Sequence, residues 1–344
     1  MESIYSLTLE DLEEFLLNRG SKKFVAKQLY NWLYQNFIGS YEEIKNVKKE
    51  TIDLLKENFY ISSLELVKKM VSEDKTEKYL FRLSDDSLIE TVLMRHNYGL
   101  SVCVSTQVGC NMGCAFCASG LKGKVRNLKA GEIVEQVIKV QKELVKNNER
   151  LSHVVIMGIG EPFDNYENVL KFIKIINNPL GLGIGARHIT VSTCGIVPKI
   201  YEFSDFPLQV NLAISLHAPN NEIRNKLMRI NKVYPIEEII KAVRYYIKKT
   251  NRRVTFEYIL LHDINDSLEH AKELAKLISG LNAYVNLIPY NDVAETGFKR
   301  ALKTRYLEFY DVLKKHGISA TIRREKGSDI NAACGQLRIN EMRK

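Results

Sequence analysis

The sequence contains no apolar run long enough to span a membrane and no low-complexity, proline-rich or glycine-rich tract. Prolines number only 7 in 344 residues, while hydrophobic residues make up 45% and charged residues 26%, as in an ordinary globular protein. Residues 1–15 are acidic and lack a basic stretch followed by an apolar one, so we expect no secretory signal peptide. These absences favour a globular protein of the cytoplasm.

Cysteines are also too few for a disulfide scaffold, with six in the whole chain. Three of them, Cys110, Cys114 and Cys117, lie within eight residues, and no fourth follows at matching spacing. Because iron–sulfur cubanes normally take four cysteine thiolates, three would leave one iron open. This C-x3-C-x2-C spacing resembles the radical-SAM signature, in which S-adenosylmethionine (SAM) binds the open iron of a [4Fe-4S] cluster. The alternative is a zinc site, although paired C-x2-C units or regularly spaced histidines are absent.

Positive charge exceeds negative charge, with a net charge of +9. Residues 222–253 carry ten Lys or Arg against three Glu, and residues 122–129 carry four basic side chains and no acid. Residues 1–69 are balanced, with ten basic and eleven acidic side chains. A polyanion such as RNA would therefore contact the later part of the chain, although solvated helix faces would give the same pattern.

The first 62 residues predict a small helical module. Thr8 can cap a first helix that Gly20 ends, and apolar residues at helical spacing predict two more helices near 24–35 and 47–59. The spacing of apolar residues then changes, and the pattern predicts strands at residues 64–71, 79–83 and 88–94. We therefore expect domains at 1–62, 63–98 and 99–344, the second being a β linker region.

From about residue 100 the pattern alternates between strands and helices, which predicts a parallel α/β sheet. Expected strands lie at 101–106, 153–157, 188–192, 210–216, 254–260, 284–288 and 320–323, and expected helices include 132–145, 236–250 and 268–278. Six or seven such units are too few for a closed barrel of eight strands. We expect a partial (β/α)6 barrel with its site at the carboxyl ends of the strands, where the cysteine loop begins.

Polar residues follow several of these strands. They are Gly158 to Pro162 after the second strand, Ser192 to Gly195 after the third, Ser215 to Pro219 after the fourth and Ile288 to Asn291 after the sixth. Glycines in the first group would let the backbone approach a ligand, and its carboxylate could accept from the SAM amino group. Each Ser or Asn alone can be a cap or turn residue. Together they favour a binding pocket on one rim.

Two further cysteines are candidates for chemistry. Cys334 is flanked by small residues near the end of the chain, which would leave its thiol accessible, and Cys103 lies in the strand that leads into the cysteine loop. A lone cysteine is often only a small buried apolar residue, and that reading suits Cys194.

The whole chain resembles the RlmN/Cfr family of radical-SAM RNA methyltransferases. The matching segments are VSTQVGCNMGCAFC at 104–117, RNL at 126–128, MGIGEP at 157–162, SLH at 215–217, NLIP at 286–289 and DINAACGQL at 329–337. The resemblance implies that Cys110, Cys114 and Cys117 hold the cluster. It also implies SAM contacts from Gly160, Glu161, Ser192, Ser215, Leu216, His217 and Asn291, a methyl group carried on Cys334, a partner thiol at Cys103 and a proposed base at Glu90. The sequence leaves open whether Glu90 or a cysteine takes the proton from carbon 2.

The family mechanism explains why both thiols are needed. Carbon 2 of adenine is electron-poor and cannot attack SAM as a nucleophile. In this family one SAM methylates Cys334, a second supplies a radical, the Cys334 methylene group joins adenine, and Cys103 attacks Cys334 to leave a transient disulfide. The base must also be unstacked into the pocket, at a cost of about a few kcal/mol.

The resemblance further implies the partners and the product. The substrate would be adenosine 2503 of 23S rRNA, with adenosine 37 of some tRNAs as a second substrate, and flavodoxin with its reductase would donate electrons. The N-terminal helices would contact RNA. Two features favour the carbon 2 product over the carbon 8 product of the Cfr branch. Pro162 stands where the Cfr branch resembles Ala, and Glu90 lies only thirteen residues before Cys103, a shorter spacing than in that branch. A non-enzymatic RNA-binding protein with a structural metal remains a third reading.

Overall fold

A computed structural model describes residues 1–293, 295–333 and 335–337, so Cys334 lies outside the described residues. The described helices are α1 (Leu9–Leu17), α2 (Lys23–Tyr34), α3 (Lys49–Asn58), α4 (Ala130–Val145), α5 (Tyr166–Asn177), α6 (Val197–Phe203), α7 (Asn221–Leu227), α8 (Ile236–Thr250), α9 (Leu268–Leu277) and α10 (Lys303–Lys315). None of these helices is both long and apolar enough to cross a membrane.

The strands are β1 (Glu2–Ser3), β2 (Phe59–Tyr60), β3 (Glu65–Val71), β4 (Glu77–Arg82), β5 (Leu88–His96), β6 (Gly99–Cys103), β7 (Gln107–Gly109), β8 (Lys124–Asn127), β9 (Leu151–Ile156), β10 (Ile189–Thr193), β11 (Asn211–Ser215), β12 (Val254–Leu260), β13 (Ala283–Pro289) and β14 (Ala320–Ile322). Every long strand expected from the sequence is present within a few residues of its expected place. The short pairs β1–β2 and β7–β8 were not expected.

One ten-stranded sheet holds most of the strands, in the order β14-β13-β12-β11-β10-β9-β6-β5-β4-β3. The strands from β6 through β14 in this sheet run parallel, and β3, β4 and β5 add an antiparallel extension. The α/β fold with an incomplete parallel barrel is confirmed. Its parallel part has seven strands, the larger of the two numbers expected, and the short edge strand β14 pairs with β13.

The N-terminal helices form as their sequence indicates. Thr8 and Asp11 cap α1 reciprocally, since each side chain accepts the other's backbone N–H at 3.1 Å. A buried carboxylate then ties this segment to the sheet domain. Glu135 on α4 accepts from Ser3 Oγ at 3.1 Å and from the Ser63 and Leu64 N–H groups at 2.8 and 3.1 Å. These bonds fix both ends of the helical segment against α4.

Candidate active site

The three-cysteine motif forms a loop between β7 and a 3-10 turn at Ala118–Gly120, beyond the carboxyl end of β6. Gly113 in this loop has a φ of +60°, a conformation that favours glycine. The Ala115 N–H donates to the Leu227 carbonyl oxygen at 2.8 Å, and the Cys117 N–H donates to that of Cys114 at 3.1 Å. These bonds attach the loop to the end of α7 and fix its last turn.

The thiols of the motif lie close to one another. Burial raises the pKa of Cys110 to about 12, with Glu161 and Cys117 nearby adding to the effect. Burial also raises the pKa of Cys114 well above its usual value. The negative charges of the Cys117 and Cys110 thiolates raise it further. A bound cation would remove this mutual repulsion between thiolates. The donor set therefore fits a group that supplies positive charge.

No three His, Cys, Asp or Glu side chains among the described residues converge on a point where one metal ion could sit. A closed zinc site requires such convergence. A cubane does not, because each cysteine binds a different iron. A cluster on these three thiols remains a prediction.

The glycines after β9 pack closely against the chain on the side where a Cβ would lie. A Cβ at Gly158 would lie 2.6 Å from the Val104 carbonyl oxygen. Gly160 has a φ of +111°, and a Cβ there would lie 2.7 Å from Gln107 Cβ. These glycines let the β9 loop pack against the segment that follows β6, and the contact of Gly160 with a ligand remains a prediction.

Glu161 links two of the strand-end loops. Its Oε1 accepts from the Phe163 N–H at 2.9 Å, where Pro162 begins a 3-10 turn, and its Oε2 accepts from the Cys194 N–H at 2.8 Å. The residue is only 4% exposed, and burial raises the pKa of its carboxyl group. Glu161 thus holds the loops after β9 and β10 together beside the cysteine motif.

Arg224 on α7 is a residue whose role the sequence reasoning missed. It is fully buried, with Nε donating to the Leu216 carbonyl oxygen at 3.1 Å and Nη2 donating to those of Cys194 and Ser215 at 2.6 and 3.3 Å. Burial lowers its pKa to about 10. Its inclusion in a solvated or RNA-facing basic patch was wrong. The available signal was its position three residues before the buried Leu227, on the same helix face.

His217 follows β11 with a φ of +56°. Its Nδ1 accepts the Ile259 N–H at 3.1 Å, which leaves the ring proton on Nε2. Burial, with Arg224 adding to it, lowers the pKa of His217 to about 3. The ring packs edge-on against Phe116, with centroids 4.9 Å apart. A neutral imidazole therefore lies against the cysteine loop.

The remaining expected SAM contacts occupy the same end of the sheet. Ser192 and Ser215 lie on neighbouring strands with their Oγ atoms 3.4 Å apart. Leu216 is fully buried and donates its N–H to the Glu257 carbonyl oxygen at 3.1 Å. Asn291, after β13, lines the central cavity. The strand-end loops bring these residues to one rim, and their contact with SAM remains a prediction.

A cavity of about 1310 Å³ runs through the open barrel. Cys103, Cys117 and Asn291 line it near the carboxyl ends of the strands. Further along, its wall carries polar strand residues such as Asn286 and Thr321 in place of the packed apolar layers of a closed barrel. The interior therefore has room for a polar ligand of nucleoside size.

Residues on both sides of Cys334 pack beside Cys103 and the cysteine loop. Ala332 and Leu337 belong to the same buried apolar cluster as Cys103. The Ala118 N–H donates to the Gly335 carbonyl oxygen at 2.9 Å, and Ser119 Oγ donates to that of Leu337 at 2.9 Å. The flanks of Cys334 are thereby fixed to the segment directly after Cys117.

Glu90, the expected base, is buried in an ion pair on β5, with Lys78 Nζ 3.0 Å from its Oε1. Lys78 also donates to the Asn331 carbonyl oxygen at 3.1 Å, three positions before Cys334. Since Val92 pairs directly with Cys103 and lies two residues from Glu90, all three side chains lie on one face of the sheet. Lys78 was not singled out from the sequence. It connects Glu90 to the loop of Cys334.

Family models match two parts of the chain. The Radical SAM superfamily matches residues 104–278, which hold the cysteine motif and most of the parallel strands. The Ribosomal RNA large subunit methyltransferase N-terminal domain matches residues 3–61, which hold the first three helices.

Full-length relatives agree with these matches. A protein of Acholeplasma laidlawii named "Probable dual-specificity RNA methyltransferase RlmN" is 58% identical over 98% of this chain and 99% of its own length. One of the same name from Geobacillus kaustophilus is 58% identical over 99% and 93%. The crystal structure of a radical SAM methyltransferase from Sphaerobacter thermophilus is 43% identical, covers 98% of this chain and 99% of its own, and superposes with a TM-score of 0.95. The chain therefore belongs to the RlmN family of radical-SAM RNA methyltransferases.

Proposed function

We propose that this enzyme methylates carbon 2 of adenosine 2503 in 23S rRNA, and adenosine 37 of some tRNAs, through a methyl group carried on Cys334. The observation that carries the proposal is the convergence of three segments: Cys103, the turn after Cys117, and the residues that flank Cys334. A carrier thiol must lie near both the activating cofactor and the thiol that later releases it. The described flanks of Cys334 lie beside Cys103 and the segment after Cys117, which supports the proposal.

The cofactors of the proposal are a [4Fe-4S] cluster on Cys110, Cys114 and Cys117 and SAM at the rim formed by Gly160, Glu161, Ser192, Ser215, Leu216, His217 and Asn291. When bound, they would supply the methyl group and the radical that activates it. The Nε2–H of His217 is a suitable donor to a ligand there, since its Nδ1 is already occupied by the Ile259 N–H.

The protein's own groups complete the reaction. After the Cys334 methylene carbon has bonded to adenine and the radical adduct has lost one electron, which the bound cluster would accept, Glu90 takes the proton from carbon 2. The Cys103 thiolate then attacks the Cys334 sulfur and breaks the bond from sulfur to the methylene carbon. That carbon keeps the bonding electrons and takes up one proton, which completes the methyl group of the released base. The resulting disulfide takes two electrons to reopen, and we propose an external donor such as flavodoxin with its reductase.

Carbon 2 is favoured over carbon 8 by the loop that carries Glu161. Pro162 opens the turn there, and Glu161 caps it through the Phe163 N–H. The relatives' description as dual-specificity enzymes supports two RNA substrates. We further propose that residues 1–62 are an RNA-contacting accessory domain, with 63–98 as the β linker and 99–344 as the catalytic domain.

The test is nucleoside mass spectrometry. The anaerobically reconstituted enzyme is incubated with SAM, a reductant and unmodified 23S rRNA, and the digested RNA is compared with 2-methyladenosine and 8-methyladenosine standards. We expect 2-methyladenosine, and none without reductant. A dominant 8-methyl product would assign the chain to the Cfr activity, and an unmodified RNA would contradict the enzymatic proposal.

A further inference from the structure

Four aromatic rings form a continuous series at one end of the barrel. His96 and Tyr98 stack with centroids 4.7 Å apart and planes 6° apart. Tyr98 meets His153 edge-on at 5.1 Å, and His153 stacks on His188 at 4.3 Å. These four residues are called the ring ladder below. Tyr98 is 66% exposed, so the ladder presents ring surface to solvent.

Hydrogen bonds hold the His153 and His188 rings of the ladder in place. His153 Nδ1 lies 2.8 Å from Ser152 Oγ, and His188 Nδ1 donates to the Ser152 carbonyl oxygen at 3.1 Å. Gly99 has a φ of +134°, and a Cβ there would come within 2.2 Å of Ser152 Oγ. The close approach of the β5–β6 turn to Ser152 therefore depends on this glycine. Rings fixed in this way lose little conformational freedom when a planar ligand stacks on them.

The ladder lies at the opposite end of the barrel from the cysteine loop. Tyr98 directly precedes β6, His153 is in the first half of β9, and His188 directly precedes β10. His96 and Tyr98 also line the mouth of the same cavity whose far wall carries Cys103. A base that enters at this mouth thus has a continuous path to the thiols.

The mouth is strongly basic. It is lined by Arg187, Arg252, Arg253, Arg323, Arg324 and Lys326. Several of these guanidinium groups contact neutral partners. Arg187 donates to the Gln209 side chain at 3.0 Å, and Arg253 lies over the Tyr284 ring at 4.8 Å. The charge of these two arginines therefore remains available to attract phosphate groups, whereas Arg323 lies 3.7 Å from a Glu257 carboxylate oxygen and Lys326 lies 3.7 Å from one of Asp74.

We infer that the ring ladder is a stacking platform for unpaired bases that flank the target adenosine, with the arginines of the mouth contacting the RNA backbone. The inference rests on the proposed function, because it assigns a binding surface and an entry route to the RNA substrate. Proteins bind single-stranded nucleic acid with aromatic side chains, on which the bases stack, and with cationic side chains, which contact the phosphates.

The electrostatics of the ladder suit this role. Burial is the largest cause of the lowered pKa of His96. The positive charges of Lys326, Arg323 and His153 lower it further. Burial likewise lowers the pKa of His153, and the nearby charge of His188 adds a smaller effect in the same direction. These imidazoles are neutral near pH 7, and they present flat rings while the arginines supply the charge.

The test compares RNA binding by full-length, cluster-loaded variants. Fluorescence anisotropy with a short unstructured RNA should show about tenfold weaker binding for Tyr98→Ala, because one base loses its stacking partner. Tyr98→Phe keeps the ring and should bind as the wild type does. Tyr245→Ala, which removes a 44% exposed tyrosine on α8, is the matched control and should also bind normally. A duplex of the same sequence should be insensitive to all three changes.

Three results would overturn the inference: wild-type affinity of Tyr98→Ala for the unstructured RNA, an equal loss in Tyr98→Phe, or an equal loss with the duplex. Iron content and thermal stability equal to the wild type would show that the exposed substitution leaves the fold intact. Failure here is distinguishable from failure of the proposed function. Wild-type binding by Tyr98→Ala alongside normal methylation overturns only the ladder, whereas normal ladder-dependent binding without any methylated adenosine overturns only the methylation.

Discussion

At the scale of single residues, buried polar groups hold the strand-end loops at the rim. Glu161 joins the loops after β9 and β10, and Arg224 joins those after β10 and β11. Both are charged groups in a buried setting, where such groups are retained only with several hydrogen bonds. The rim is therefore set by a few side chains rather than by the strands alone.

Replacing Arg224 should loosen this rim. Arg224→Met would leave the carbonyl oxygens of Cys194, Ser215 and Leu216 without their donor, at a cost of about 1–3 kcal/mol for each one that water cannot reach. Denaturant unfolding should show a clear loss of stability and SAM should bind more weakly. Lys226→Met on the same helix breaks only an exposed pair with Glu222 and is the control. Equal stability of the two variants would contradict this role.

The lowered pKa of His217 predicts a specific acid sensitivity. Burial lowers the pKa of His217 in the folded protein to about 3 from its usual value of 6.5, so the unfolded chain binds a proton first as the pH falls. Stability is unaffected above the unfolded pKa, and below it each pH unit costs up to about 1.4 kcal/mol. Thermal unfolding of SAM-free protein should therefore depend less on pH, between about 7.5 and 5.5, in His217→Gln than in the wild type. Identical slopes would exclude a buried neutral His217.

At the scale of elements, the β3–β4 hairpin holds the C-terminal segment in place. Ser72 Oγ donates to Asp329 at 2.5 Å, the Gly327 N–H donates to Asp74 at 3.3 Å, and Lys78 reaches Asn331 from β4. The Ser72 hydrogen bond is the main cause of the lowered pKa of Asp329. The antiparallel extension of the sheet thus fixes the segment that leads to Cys334.

Removing one of these bonds should free that segment. We expect Asp329→Ala to speed amide hydrogen exchange in residues 327–333, because the loop loses its bonds to Ser72 and the Glu73 N–H. The fraction of Cys334 that carries a methyl group, measured by intact-peptide mass, should fall with it. Asp311→Ala, which changes an exposed aspartate on α10, is the control. Unchanged exchange in Asp329→Ala would show that the hairpin does not hold the segment.

At the scale of the whole molecule, the sequence predicted the order of elements better than their contacts. Alternating apolar strands and amphipathic helices indicated the parallel barrel, and polar residues at strand ends indicated the rim. Arg224, Lys78 and the ring ladder were missed because most of their partners lie on other elements; Lys78 and Asn331 are 253 positions apart. Periodicity reports which face of an element is buried, but it does not report which distant group lies opposite.

Two thiols on separate segments are the central feature of the proposed enzyme, and trapping the protein–RNA intermediate tests it most directly. Cys103→Ala, loaded with its cluster and incubated with SAM, reductant and substrate RNA, should stall with RNA bound covalently through Cys334, visible as a shifted band and mapped by mass spectrometry. Cys103→Ala combined with Cys334→Ala should give no adduct. Methylation of RNA by Cys334→Ala at the wild-type rate would contradict the account.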